Sequence, residues 1–327
     1  MAEQNQNKEN SQNDTGNSEE ASNSHWNQNP TGFLHEQSWA DRNGFPHWLL
    51  AFIWVVVSFL LFQLVGTLVM VGYLFAISDE PVTGFDPQMI IEHLDVMFIG
   101  NSLSQILFLG LATWIITGLS TSDSRAKFLR FRADHRTLPV ILQTALLIVV
   151  FQPIIWLLSW INMQIPFPEG YAAFEDSQME LIKDFLTGDH LVMLTIIHVG
   201  LVPSVCEEIL YRGYVLRALE KSWGIWAAIV VSGLLFGLYH VRLTQVIPLA
   251  IIGILLAWVV WRSDSIFPAM AGHFVNNGGS VLLASIYPDY AMEQMATSEL
   301  PSVWLLLISI GGAFMLLRYI HQTTRQE

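Results

Sequence analysis

Two adjacent glutamates, Glu207 and Glu208, stand in a stretch from His190 to Leu219 that is otherwise apolar enough to cross a membrane. A carboxylate at mid-bilayer costs roughly 2.5–3.5 kcal/mol on insertion scales, so two in succession need a partner or a task. Glu208 and Arg212 are four residues apart, share one helix face and can neutralise each other. Glu207 is turned about 100° from its neighbour and has no cation within reach on its own face. Two further apolar runs carry Phe236 with His240 and His273 with Asn277, each pair again at i,i+4. A free carboxylate, two imidazoles and a carboxamide are the groups peptide hydrolysis needs, a base for water and donors for an oxyanion. Singly, each has a bland reading: the histidines as satisfied core residues, Glu208–Arg212 as a structural ion pair. Their occurrence on three consecutive apolar segments favours one shared site.

Those segments belong to a chain built for a membrane. Of its 327 residues 52% are hydrophobic and 13% charged, about half the charged share of a soluble domain. Crossing the hydrocarbon core takes roughly 20 apolar residues. Such runs fall near 47–77, 96–119, 138–162, 190–219, 223–240, 246–262, 267–287 and 302–320. They predict an all-α, multi-pass bundle of about eight transmembrane helices, hardest to divide over 223–287 where the connections are short. Residues 1–45, rich in Asn, Gln, Ser and Glu, read as a disordered polar tail. Residues 46–162 then hold three spans and 163–327 five, with the chemistry at about 190–290.

Charge orients the set. The segment 120–137 carries Arg125, Lys127, Arg130, Arg132 and Arg136 and belongs in the cytoplasm, where its bland role is contact with anionic lipid. Segments 78–95 and 288–301 carry no Lys or Arg, and 163–189 only Lys183, which fits the outside. Eight spans then leave both termini cytoplasmic. The net charge of −13 lies in the tail and in short loops and offers no surface for nucleic acid. Cys206 is the single cysteine, which excludes an intrachain disulfide. No cleavable signal peptide is expected, the first apolar run beginning near His47. One discrepancy stands: at about 1.5 Å per residue, Glu207 and His240 lie roughly 20 and 25 Å from the cytoplasmic helix ends, but His273 only 10–15 Å.

The three motifs are Glu207-Glu208-x-x-x-Arg212, Phe236-x-x-x-His240 and His273-x-x-x-Asn277. In this order on successive apolar segments they resemble the CAAX-protease and bacteriocin-processing (CPBP, or Abi) family, which includes the type II CAAX prenyl endopeptidases. The resemblance implies an intramembrane endopeptidase with a buried site open to the cytoplasm. In it Glu207 would act as general base on a water, with His240 sharing the task, and His273 and Asn277 would stabilise the oxyanion. Glu208 and Arg212 would hold the Glu207 helix in register, or Glu208 would assist the base; Phe236 supports the site. Family members are described as metalloproteases, and Glu207, His240 and His273 could ligate Zn²⁺. The chain lacks His-Glu-x-x-His, and a metal-free, glutamate-activated water fits the same residues and is slightly preferred.

Other classes fare worse. A serine intramembrane protease needs a Gly-x-Ser-Gly context, which Gly278-Gly279-Ser280 does not supply, and an aspartyl one needs two intramembrane Asp, absent from the eight runs. A transporter usually shows internal repeats, and here the polar residues crowd into one half. A non-catalytic scaffold or immunity protein of the same fold is the remaining alternative, opposed by the presence of every chemical position. The expected partners are a peptide or protein-tail substrate and membrane lipid. The lack of eukaryotic targeting signals favours a bacterial plasma membrane, so CAAX describes kinship, not substrate.

Overall fold

The computed structural model describes residues 37–77, 92–168, 170–171, 192–287 and 299–325. Among them the long elements are all helices: α1 (Trp39–Arg42), α2 (His47–Ile77), α3 (Leu94–Ser120), α4 (Arg125–Phe128), α5 (Thr137–Met163), α6 (Val192–Trp223), α7 (Ile225–Tyr239), α8 (Val246–Ser263), α9 (Phe267–Ile286) and α10 (Val303–Thr323). Six are long and apolar enough to cross a membrane: α2, α3, α5, α6, α8 with its preceding turn, and α10. The other two expected spans are present as helices of a different kind. At 15 residues α7 is about 22 Å long, short of the hydrocarbon core. The 20 residues of α9 include His273, Asn276 and Asn277, which dilute its apolar character. The chain is an all-α, multi-pass membrane bundle.

Local chemistry sets the helix ends. Only Gly224 separates α6 from α7, at φ 79°, where a side chain would be strained. Asp264, at φ 50°, ends α8, and Pro268 opens α9, where its missing N–H costs nothing. Ser302 caps α10 by accepting from the Leu305 amide at 3.3 Å. The tail expected to be disordered over 1–45 is ordered at its end, where Ser38 and Asp41 form a reciprocal capping box on α1. Residues 1–36 and Lys183 lie outside the described residues.

Small residues let α7 and α8 pack backbone to backbone. A Cβ on Gly233 would lie 2.5 Å from Ile254 Cγ1 and 2.6 Å from its amide nitrogen, and one on Gly253 would lie 2.9 Å from Gly233 Cα. The connection between the two helices cannot bond water in a bilayer, so side chains satisfy it. Asn162 donates to Leu243 O and accepts from the Ile247 amide, both at 2.8 Å, while Tyr171 Oη donates to Val241 O at 2.9 Å and accepts from the Leu243 amide at 2.7 Å.

At the opposite end, the basic loop is a clasp within the chain. Arg130 bonds Glu220 at 3.0 Å and Asp264 at 3.1 Å, and its carbonyl accepts from the Ile266 amide at 2.9 Å. Arg132 joins Asp264, Lys127 pairs with Asp123, and Arg136 with Asp134. The Arg130 and Arg132 contacts tie the ends of α6 and α8 and the start of α9 to the loop before α5, while Lys127 and Arg136 pair within the loop. The Arg136 side-chain bond is the chief cause holding Asp134 down at about 2. Trp48 stacks on Trp223 at 5.6 Å and Trp226 meets Trp261 edge-on at 5.2 Å, an aromatic belt near these helix ends.

Candidate active site

The site is assembled from α6, α7 and α9. Wide π-type turns over Ile196–Leu201 and Ile209–Val215 flank the segment Val202–Glu208, a distortion frequent near functional residues. Pro203 has no N–H to give the Val199 carbonyl, and Asn277 Nδ2 donates to that carbonyl at 3.1 Å. A proline on one helix thus creates the acceptor that anchors an amide on another.

The depth discrepancy resolves once the levels of the helix ends are known. Gly213 on α6 packs against Leu129 and Ile266, the residue just before α9. From that level Glu207 is six residues back and His273 seven forward, about 9 and 10 Å. Beyond Gly213, α6 runs on to Trp223 through Arg217, Glu220 and Lys221, so α7 starts about 15 Å further out. His240, about 22 Å along from Ile225, therefore returns to within about 7–8 Å of the common level. No broken helix is needed; α6 and α7 simply extend past the others.

All of the candidate residues come together. Glu208 and Arg212 are fully buried and paired at 2.8 Å, and Arg212 also donates to Gly253 O on α8 at 3.3 Å. The same Glu208 Oε1 lies 2.9 Å from His273 Nδ1. This bond fixes the neutral tautomer of His273 with its proton on Nδ1 and its lone pair on Nε2, which faces Asn277 Nδ2 at 3.2 Å. His240 Nδ1 donates to Phe236 O at 2.8 Å, so its Nε2 also carries a lone pair. Glu207, 8% exposed, points its Oε2 between the rings, 3.9 Å from His240 Nε2 and 4.0 Å from His273 Nε2. Among the described residues that buried oxygen has no hydrogen-bond partner.

Phe236 is the wall these groups share. The Arg212 guanidinium sits 4.2 Å from its ring centroid, and Tyr211, His240 and His273 meet it edge-on at 5.3, 4.9 and 5.6 Å. One aromatic side chain therefore spaces both imidazoles and covers the buried cation.

A zinc ion was tested against this geometry. Tetrahedral ligands at roughly 2.0–2.2 Å from zinc stand about 3.3–3.6 Å apart. The separations of 3.9 and 4.0 Å are wider, and Asn277 already faces His273 Nε2. Among the described residues no group of three or more His, Cys, Asp or Glu side chains is placed to hold a metal ion. The side chains as they stand do not fit zinc.

Sequence spacing gave the Glu208–Arg212 and His273–Asn277 pairs but not the bond from Glu208 to His273, which joins residues 65 apart. It also missed Gln152 on α5 and Asn276 on α9, which bond each other at 3.2 Å beside the site. Pro203 was the one legible signal, since a proline inside a helix predicts a carbonyl in need of a donor.

Six helices long and apolar enough to cross a membrane define the class, a multi-pass membrane protein, and they enclose this cluster of carboxylates and imidazoles. Residues 189–279 match the family model described as type II CAAX prenyl endopeptidase Rce1-like, so this part of the chain is similar to that family. No curated protein and no solved structure matches the chain.

Proposed function

We propose that the protein is an intramembrane endopeptidase of the CAAX-processing type, hydrolysing a peptide bond with a water activated by Glu207 and His240. One observation carries this: the buried, unpartnered Glu207 Oε2, 3.9 Å from His240 Nε2. A buried carboxylate oxygen without a donor is costly, and a gap of this width admits a water about 2.8 Å from each side. Such a water gives one hydrogen to Glu207 and the other to His240, leaving a lone pair for the carbonyl carbon. As the C–O bond forms, the proton passes to Glu207 and charge gathers on the carbonyl oxygen. Asn277 Nδ2 supplies a donor for that oxyanion by turning to it the hydrogen that faces His273 Nε2. For His273 to donate as well, its Nε2 must carry a proton. Collapse of the intermediate breaks the C–N bond, the proton moves from Glu207 to the departing nitrogen, and a carboxylic acid and an amine result. No step uses a metal.

The substrate is a peptide or protein tail entering from the cytoplasm, the side to which the basic clasp and both termini are assigned. The test is cleavage of a peptide library, read by mass spectrometry, with purified wild type and Glu207→Gln in detergent. Cleavage by the wild type alone supports the reading, and its persistence in strong chelator, without metal by elemental analysis, supports the metal-free mechanism. Cleavage by neither folded protein favours the scaffold alternative.

A further inference from the structure

We infer that Gln152 and Asn276 are positioning residues that fix which way the Asn277 carboxamide faces, an inference resting on the proposed oxyanion role of Asn277. The polar side chains beside the site form a directional chain. Gln152 Nε2 donates to Asn276 Oδ1 at 3.2 Å, and Asn276 Nδ2 donates to Asn277 Oδ1 at 3.1 Å. Asn277 Nδ2 donates to Val199 O at 3.1 Å and faces His273 Nε2 at 3.2 Å, while His273 Nδ1 faces Glu208 Oε1 at 2.9 Å. Along this chain Gln152, Asn276, Asn277 and His273 each present a donor toward the next group, and the chain ends at Glu208, which Arg212 holds.

The Asn277 amide has one acceptor and two donor directions, and all three are matched. Flipped, its oxygen would face the Val199 carbonyl and the His273 lone pair, and its NH₂ would face the Asn276 donor. Asn276 has its own alternative. Without the Gln152 donor it could turn its oxygen toward Asn277 Oδ1, and the repulsion would drive Asn277 to flip. Gln152 therefore acts at a distance, through Asn276, on the group that would meet the oxyanion. It also donates to Ile148 O at 3.2 Å, so its carboxamide is tied to α5 immediately before Pro153. This gives α5, outside the family match, a part in the chemistry.

The test compares wild type with Gln152→Met, Asn276→Leu and Asn277→Ala, alone and in pairs. Ser280→Ala serves as control, its Oγ bonding Asn276 O along the same helix. Loss of one oxyanion donor costs about 10²–10³ in rate, so Asn277→Ala falls by that factor. A mis-set donor costs less: Asn276→Leu and Gln152→Met lower kcat about tenfold, with KM unchanged. In the Asn277→Ala background neither adds a further loss, because the relay has nothing left to act on. Gln152 is exposed, and Gln152→Met retains the fold even if Asn276→Leu does not. Independently of activity, the Asn277 side-chain amide protons, observed by ¹⁵N NMR of asparagine-labelled protein, exchange slowly in the wild type and faster in both relay variants. Wild-type kcat in Gln152→Met and Asn276→Leu with an impaired Asn277→Ala overturns the relay and leaves the function standing, as do additive losses in the pairs. Full activity of Asn277→Ala overturns its oxyanion role, and unchanged amide exchange then overturns the relay separately.

Discussion

Glu207 and Glu208 are neighbours of one chemical type, yet the same substitution should affect them in opposite ways. Glu208 Oε1 accepts from Arg212 at 2.8 Å and from His273 at 2.9 Å, with Glu208 and Arg212 both 0% exposed. Glu208→Gln removes the carboxylate bonded to a fully buried guanidinium, and breaking a buried pair from one side costs about 3–5 kcal/mol. The lost bond to His273 belongs to the same network, so its cost is not added separately. Against a total stability of about 5–15 kcal/mol this is a large fraction. Glu207 Oε2 has no hydrogen-bond partner among the described residues, so Glu207→Gln should change stability by less than about 1 kcal/mol. Unfolding in detergent, followed by circular dichroism, measures both. The double variant Glu208→Gln/Arg212→Met, which removes both charges, should recover part of the loss. Equal stability of the two single variants would refute the assignment of Glu208 as the structural carboxylate and Glu207 as the free one.

Other consequences follow from packing and charge. Gly233→Ala forces a Cβ to 2.6 Å from the Ile254 amide nitrogen and should destabilise by about 1–3 kcal/mol in the same assay. Gly279→Ala, with nothing within 4 Å of the new Cβ, should be neutral or stabilising by up to about 1 kcal/mol. Phe236→Leu removes the ring covering Arg212 and spacing both imidazoles; it should cost about 2 kcal/mol, and peptide-cleavage assays should find turnover at least about tenfold lower. Asp134, held at about 2 chiefly by Arg136, stabilises the fold above the unfolded value of about 3.9 and loses this as pH falls through 2. Because the pair is exposed, Asp134→Asn should leave neutral stability within about 0.5 kcal/mol and alter only acid unfolding between those values.

Helices were legible because each is an apolar run ended by a residue that cannot continue it. Expected and observed bounds agree to within about two residues over α2, α3, α5, α7, α8 and α9, and α10 runs on to Thr323 where 320 was expected; even the crowded 223–287 region divides at Gly224 and Asp264. The i,i+4 pairs were legible because helical facing is a local property. What spacing could not give is contact between helices: Glu208 with His273, Arg212 with Gly253, Asn162 and Tyr171 with the α7–α8 connection. The relative height of the helices was equally hidden, since it depends on Gly213 meeting Leu129 and Ile266, and so His273 came out too shallow. The partners of the basic loop were hidden for a related reason. Its cations lie close in sequence, but Glu220 and Asp264, which engage Arg130 and Arg132, lie about 90 and 130 residues away.

The central claim is that Glu207 activates the attacking water. Its most direct measurement is single-turnover cleavage of a peptide substrate by wild type and by Glu207→Gln, each first matched for folding by its unfolding curve. The account predicts an intact fold and a rate lower by about 10²–10⁴ for the variant. Wild-type turnover by the folded Glu207→Gln protein would contradict it.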